Sequence, residues 1–268
     1  TKRHAESRLL LLTAKRNHSE AEGAMIKSLA DETSDWQFVV DTAFRKFSAT
    51  YTHRALTTFA AQVVPEETLD HLSALASQTR LNALKLIAAQ LSFHKLCIEP
   101  ERIRHAYIKG PSLSAQFETD FSDRFCRDVD VLVEGTKFEQ VVRTAVDQGY
   151  RVIMSFNPLR FATTANDLKF VTRFPRDISL LSPDGIMIEV HRRLDKQNFI
   201  FDSDSVLNDT ETLEISGVSL QTVSKLTHFI YVCYHHSRHF WSHLHWLADL
   251  DMMVRSPHLN KEEILSTS

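Results

Sequence analysis

Glycine is scarce in this chain. Six occur in 268 residues, at positions 23, 110, 135, 149, 185 and 217, and no two lie within four residues of each other. The Gly-x-Gly-x-x-Gly dinucleotide turn and the Gly-x-x-x-x-Gly-Lys-[Ser/Thr] phosphate loop both need clustered glycines, so both are excluded. Cysteine is scarce as well. Cys97, Cys126 and Cys233 are odd in number and have no paired spacing, which predicts reduced thiols rather than a disulfide frame or a cysteine zinc site. No apolar run reaches the roughly 18 residues of a membrane span, and Leu9-Leu10-Leu11-Leu12 is too short for the apolar region of a signal peptide. A cytoplasmic protein without a membrane partner is expected. A charge excess is missing too: 34 acidic and 31 basic residues give a net charge of −3, so no global basic field points to nucleic acid or anionic lipid. The first residue is Thr1 rather than Met, and an upstream segment is expected to have been removed.

Apolar material is present in quantity. With 43% hydrophobic and 24% charged residues, the composition fits one large or two modest domains that remove roughly 75% of the unfolded surface from water. Hydrophobic periodicity divides the chain. Residues 1–100 read as a helical segment, in which Ser34 or Asp35 caps a helix through Trp36, Val39, Val40, Ala43, Phe44 and Phe47. Pro65-Glu66-Glu67 opens another helix, with proline where its missing N–H costs nothing and acids at the positive end of the dipole. Residues 101–217 read as a sheet-containing core, with strands at 105–108, 127–134, 150–154, 168–173, 177–181 and 186–192 and a helix at 136–148 that Gly149 ends. Residues 218–268 return to a helical period from Leu220 onward. The fold class is α+β, a small mixed sheet flanked by helical segments.

The strand at Asp128-Val129-Asp130-Val131-Leu132-Val133 carries the chemistry. Alternation places Val129, Val131 and Val133 on one face and Asp128, Asp130 and Leu132 on the other. Two neighbouring carboxylates on a strand backed by valine repel each other and lose hydration, and a hard divalent cation relieves both costs. In Ile186-Met187-Ile188-Glu189-Val190-His191, the same alternation puts Met187, Glu189 and His191 on one face. If the two strands are neighbours, Glu189 joins Asp128 and Asp130 in a three-carboxylate site. Such a site can hold two metals roughly 3.5–4 Å apart for in-line phosphoryl displacement, and Glu189 can take the acceptor's proton. Spacing alone leaves a solvated strand face equally open. Two other Asp-x-Asp triplets, at 202–204 and 249–251, lack the strand context: the first reads as a polar loop, and the second as a helix whose acids point about 200° apart.

Upstream, Lys109-Gly110-Pro111-Ser112 lies between a short strand and a helix. Gly110 permits close backbone approach, and Ser112 with the first free N–H groups of the helix can bind phosphate, although an ordinary strand-to-helix turn has the same sequence. Lys109, Arg124 and Arg127 flank the site and can neutralise phosphate; the alternative for the arginines is pairing with Asp120, Asp123 or the site acids. Fourteen histidines include His228, His235, His236, His239, His243 and His245 in one stretch. His235, His239 and His243 stand at successive i,i+4 positions, the spacing of a zinc pair on one helix face. His236 occupies the place where a His-Glu-x-x-His motif needs glutamate, which favours packing over a nucleotide pocket. His191 shares the face of Glu189 and orients a carboxylate or the acceptor, or is a structural histidine.

The order strand, Gly-x-Ser, helix, Asp-x-Asp strand and later acidic strand resembles the DNA-polymerase-β-like nucleotidyltransferases. More narrowly, Ile108-Lys109-Gly110 through Leu113, Arg124, Asp128 through Val133, Gly149-Tyr150, Ile188 through His191 and His235 through Asp249 are similar to the branch of uncharacterised nucleotidyltransferases. The resemblance implies transfer of a nucleoside monophosphate from an NTP such as ATP to an acceptor (a protein, an RNA or a small molecule), with Mg²⁺ or Mn²⁺ as cofactor and pyrophosphate released. By position it implies that Asp128, Asp130 and Glu189 bind metal and that Gly110 and Ser112 contact the triphosphate. Two residues depart from the pattern: Pro111 replaces the usual small residue and removes an N–H donor, and Glu189 stands where aspartate is more frequent. RNA-directed transfer predicts a basic groove that the balanced charge does not supply. A nucleotide- or partner-binding protein that keeps the fold without turnover is the non-enzymatic alternative.

Overall fold

The computed structural model describes residues 3–117, 121–154, 157–196, 198–257 and 259. The chain divides into two compact units, one of residues 1–83, 120–125 and 229–268, the other of residues 84–119 and 126–228.

The first unit is helical. Helices α1 (His4–Thr13), α2 (Glu20–Glu32), α3 (Trp36–Arg45) and α4 (Ala49–Phe59) are followed by α5 (Glu66–Phe93), which opens at Pro65-Glu66-Glu67 as expected. Their apolar stripes meet in a core of Leu9, Leu10, Ile26, Leu29, Val39, Val40, Leu56 and Leu72. Asp35 caps α3 by accepting the Phe38 N–H at 2.9 Å. Beneath that cap the buried Glu6 accepts the N–H groups of Ser34 and Asp35 at 3.2 and 3.1 Å. Backbone hydrogen bonds hold its carboxyl below the usual range against the opposing effect of burial.

Two buried acids organise the rest of this unit. Asp123, fully buried, is paired with Arg54 and with Arg80 at 2.7 Å. Arg124 makes a bidentate fork to Asp249 at 2.7 and 2.8 Å, with both side chains 5% exposed or less. Asp120, the other partner considered for the arginines, lies outside the described residues.

The second unit holds an eight-stranded mixed sheet. After the last turns of α5 and a π-helical turn at His94–Ile98 come β1 (His105–Ile108), α6 (Gly110–Phe117), β2 (Asp128–Val133), α7 (Phe138–Asp147), β3 (Arg151–Met154), β4 (Asn157–Phe161), α8 (Ala165–Arg173), β5 (Asp177–Leu181), β6 (Met187–His191), α9 (Ser203–Asn208), β7 (Thr210–Ile215) and β8 (Val218–Val223). The spatial order is β4-β3-β5-β6-β2-β1-β8-β7. The chain continues into α10 (Lys225–Arg238) and α11 (His245–Arg255). β2 is central, antiparallel to β1 and parallel to β6. Its Val129, Val131 and Val133 are 1% exposed or less. Gly149, at φ +85°, ends the connection after α7 in the left-handed region. No helix of the described residues is long and apolar enough to cross a membrane.

The structure corrects three sequence expectations. Residues 168–173 belong to helix α8 rather than a strand, because Thr164 and Asp167 form a capping box that starts a helix upstream. The helical period expected from Leu220 starts later. Residues 218–223 are strand β8, turned back from β7 by Ser216 and Gly217, both with positive φ, as a two-residue hairpin turn requires. Asp202, expected in a polar loop, is the N-cap of α9 and accepts the Ser205 N–H at 2.9 Å.

Two stability predictions follow from the buried charges. Asp249→Ala strands Arg124 as an uncompensated buried cation and should cost about 3–5 kcal/mol in urea unfolding, whereas the double change Arg124→Met with Asp249→Leu should recover most of that loss. Burial holds His245 down to about 3 and His105 down to about 4. Both histidines then take up protons near pH 6.5 in the unfolded chain but not in the folded one. The stability they permit is fully present above pH 6.5 and falls as pH drops toward 4, by up to about 1.4 kcal/mol per pH unit for each group. Urea midpoints measured from pH 7.5 to 4.5 check this, with His105→Asn flattening the slope.

Candidate active site

β2 and β6 are adjacent and in parallel register, so Asp130 stands directly opposite Glu189 and Leu132 opposite His191. Paired residues in a sheet project from the same face, which brings Asp130, Glu189 and His191 together as the alternation of the two strands predicts. A ligand atom from each of the three lies within 4.8 Å of the others, and this is the one such group of acids, histidines or cysteines among the described residues. Asp128 sits two residues upstream on the same face, opposite Met187.

Asp130 is 1% exposed. Its Oδ1 lies 3.1 Å from the Lys109 ammonium and accepts the His191 Nε2–H at 3.0 Å. Its Oδ2 is buried and has no hydrogen-bond partner among the described residues. Burial alone would raise the Asp130 pKa, but the Lys109 charge and the His191 hydrogen bond together hold it well below the usual range. Glu189 is more open, with its Oε2 3.6 Å from His191 Nε2. Burial and then the negative charge of Asp130 push it up to about 7, and Asp128 adds to the rise. Burial and the neighbouring Asp130 charge thus act on Glu189 in the same direction, both favouring its neutral form.

A strained turn delivers Lys109. At the end of β1, Lys109 and Gly110 adopt φ of +49° and +46° in succession. The left-handed region costs roughly 1–2 kcal/mol for a residue with a Cβ, so Lys109 is held there by its surroundings. Gly110 is required for space as well as conformation, because a Cβ at that position would meet the Asp128 carbonyl oxygen at 3.0 Å. The turn therefore lies directly against the acidic strand.

Other expected site residues have different neighbours. Ser112, in the first turn of α6, is 1% exposed and its Oγ accepts the Gln90 amide at 2.8 Å. Arg124 belongs to the helical unit and grips Asp249. Arg127 is exposed at the start of β2. His235, His239 and His243 do not share a helix face, because α10 ends at Arg238. Instead the rings of His235, His236, His239, His243 and His245 gather around Trp246, with His236 stacked on it at 4.5 Å. One residue of the histidine-rich stretch does reach the turn. The fully buried His228 accepts the backbone N–H of Lys109 on Nε2 at 2.7 Å. Its separation of 119 residues from Lys109 leaves no local signal in the sequence.

Paired acidic strands, a basic residue on a left-handed turn and a buried Asp130 oxygen with no hydrogen-bond partner among the described residues thus meet on one mixed sheet. Comparison with known proteins gives the class. Residues 32–268 match the family described as "Uncharacterised nucleotidyltransferase", and the chain belongs to that family. It is a nucleotidyltransferase. Among solved structures, it is similar to a lincosamide antibiotic adenylyltransferase with lincomycin bound, at 12% identity and a TM-score of 0.37 over 59% of this chain and 90% of that one. It is also similar to an antigenic nucleotidyltransferase-like protein from Paracoccidioides brasiliensis, at 15% identity and a TM-score of 0.39 over 72% of this chain and 84% of that one. No curated protein matches the sequence.

Because the Asp130 charge raises Glu189, its removal should lower it. In carboxyl-labelled protein without divalent ions, the Glu189 signal should titrate near pH 7, and Asp130→Asn should move that midpoint toward the ordinary glutamate value. An unchanged midpoint in the variant would show that the two carboxylates do not share one site.

Proposed function

We propose that the protein transfers a nucleoside monophosphate from an NTP to an acceptor nucleophile in the cytoplasm, releasing pyrophosphate, with Mg²⁺ or Mn²⁺ as cofactor. The observation that carries this reading is the direct pairing of Asp130 with Glu189 across β2 and β6, beside a buried Asp130 Oδ2 that has no hydrogen-bond partner among the described residues. The donor set fits a hard divalent cation: Asp130 and Glu189 supply oxygens, Asp128 stands on the same face, and His191 orients Asp130 through Nε2. Such a cation, when bound, supplies Lewis-acid stabilisation of charge on the transferring phosphoryl group.

The chain's own residues account for the rest. The Lys109 ammonium is a compact positive charge already placed at the acidic strand, where it can pair with the triphosphate. Gly110 presents backbone without a side chain, so that phosphate oxygens approach the turn closely. In the reaction the acceptor atom forms a bond to the α-phosphorus while the bond to the β-bridging oxygen breaks. The acceptor's proton passes to a carboxylate oxygen of Glu189, which stands beside Asp130 on the same face of the sheet. In this reading Ser112 supports the turn through the packing of α6 against Gln90, and Arg124 serves the helical unit through Asp249. The three cysteines are free thiols, in keeping with a reducing compartment.

Incubation with each α-phosphate-labelled NTP, Mg²⁺ or Mn²⁺ and a cell extract tests the proposal. Wild-type protein should transfer label, and Asp130→Asn and Glu189→Gln should each reduce the rate by roughly 100-fold or more, the scale at which removing one transition-state charge contact acts. Label transfer that persists in both variants would remove this site from the reaction.

A further inference from the structure

Lys109 stays in an unfavourable backbone conformation, and the structure shows what holds it. Its N–H donates to His228 Nε2 at 2.7 Å, at the start of α10. The other ring nitrogen, Nδ1, lies 2.8 Å from Gln116 Oε1. Chemistry fixes every proton in this chain. The Gln116 amide nitrogen faces the Val223 carbonyl at 2.8 Å and a Glu211 carboxylate oxygen at 3.1 Å, and both of these accept. Gln116 therefore presents its oxygen to His228, Nδ1 must carry the imidazole proton, and Nε2 must carry the lone pair that receives the Lys109 N–H. His228 is fully buried, so no water competes for that lone pair. A line of hydrogen bonds thus runs from the β8 backbone through Gln116 and His228 into the turn whose side chain ends on Asp130.

We propose that His228 is a positioning residue for nucleotide binding: by holding the Lys109 N–H, it fixes the left-handed Lys109–Gly110 turn in the shape that receives the triphosphate. This inference rests on the nucleotidyl-transfer reading of the same site. Substrate contact by the turn makes the role specific, because a distorted turn should weaken triphosphate capture more than it slows reaction of nucleotide once bound.

Three measurements test it together. Imidazole nitrogen NMR of the wild type at neutral pH should show His228 protonated on Nδ1. In His228→Leu the buried hydrogen bond is lost, and the KM for the labelled NTP should rise roughly 10-fold while kcat per folded site stays within about threefold. His228→Gln should restore most of the KM, because its side-chain oxygen can reach the Nε2 position. Gln116→Met, which frees the tautomer without touching the turn, should give a smaller rise and serves in place of His228→Leu if that variant does not fold. An Nε2-protonated tautomer overturns the proposal. So does an unchanged KM in the folded variants, or a parallel fall in kcat and kcat/KM that His228→Gln does not rescue. Equilibrium binding of a non-hydrolysable ATP analogue with Mg²⁺ separates the two readings. If wild-type protein transfers no label, the transfer reading fails alone, and tenfold weaker analogue binding by His228→Leu still supports the positioning role. If the analogue binds wild type and variant equally, the positioning role fails.

Discussion

The buried carboxylate of Asp130 is the constraint around which the sheet unit is arranged. A carboxylate at 1% exposure is costly unless it is neutralised and hydrogen-bonded. Lys109 and His191 both address the same oxygen, and the other has no hydrogen-bond partner among the described residues. The valine back of β2 fixes the strand in the centre of the sheet, its parallel pairing with β6 sets Glu189 beside Asp130, and the left-handed turn at the end of β1 brings a cation to the same place. In the proposed reading an additional cation is suited to that oxygen, and on the neighbouring strand burial, with the Asp130 charge beside it, raises the Glu189 carboxyl.

The helical unit handles its charges differently. Asp123 and Asp249 are as deeply buried as Asp130, yet each is met by arginine, Asp249 in a closed two-point fork that leaves no vacant coordination direction on that side. Arginine matches both oxygens of a carboxylate at once, whereas lysine engages as a point charge. The difference separates acids that hold a structure together from one that remains available for chemistry. It also explains why the Asp249-Leu250-Asp251 triplet and the Asp128-Val129-Asp130 triplet, alike in composition, have different fates.

Much of the acidic centre is legible in the sequence because a period of two assigns faces without knowledge of the tertiary fold. Asp128, Asp130, Glu189 and His191 follow from alternation in two strands, and the register adds that the strands are partners. The α3 cap at Asp35 and the opening of α5 after Pro65 are legible for the same kind of local reason. Where hydrophobic periodicity and structure differ, local chemistry decides: the Thr164 and Asp167 capping box makes α8 a helix, and the Ser216-Gly217 turn makes β7 and β8 a hairpin. What no local pattern reveals is long-range partnership. Arg124 with Asp249 spans 125 residues and Lys109 with His228 spans 119, so a histidine in a histidine-rich stretch and an arginine beside an acidic strand each carried several readings until the fold selected one.

In the proposed function Asp130 and Glu189 together hold a divalent cation at the nucleotide's phosphates. Its most direct test is crystallographic: crystals grown with Mn²⁺ and a non-hydrolysable NTP analogue, with data collected to locate manganese by anomalous scattering. A manganese peak bonded to Asp130 Oδ2 and to a Glu189 oxygen is expected, with analogue phosphate against the Lys109–Gly110 turn. An analogue bound elsewhere, or manganese seated away from both carboxylates, would contradict it.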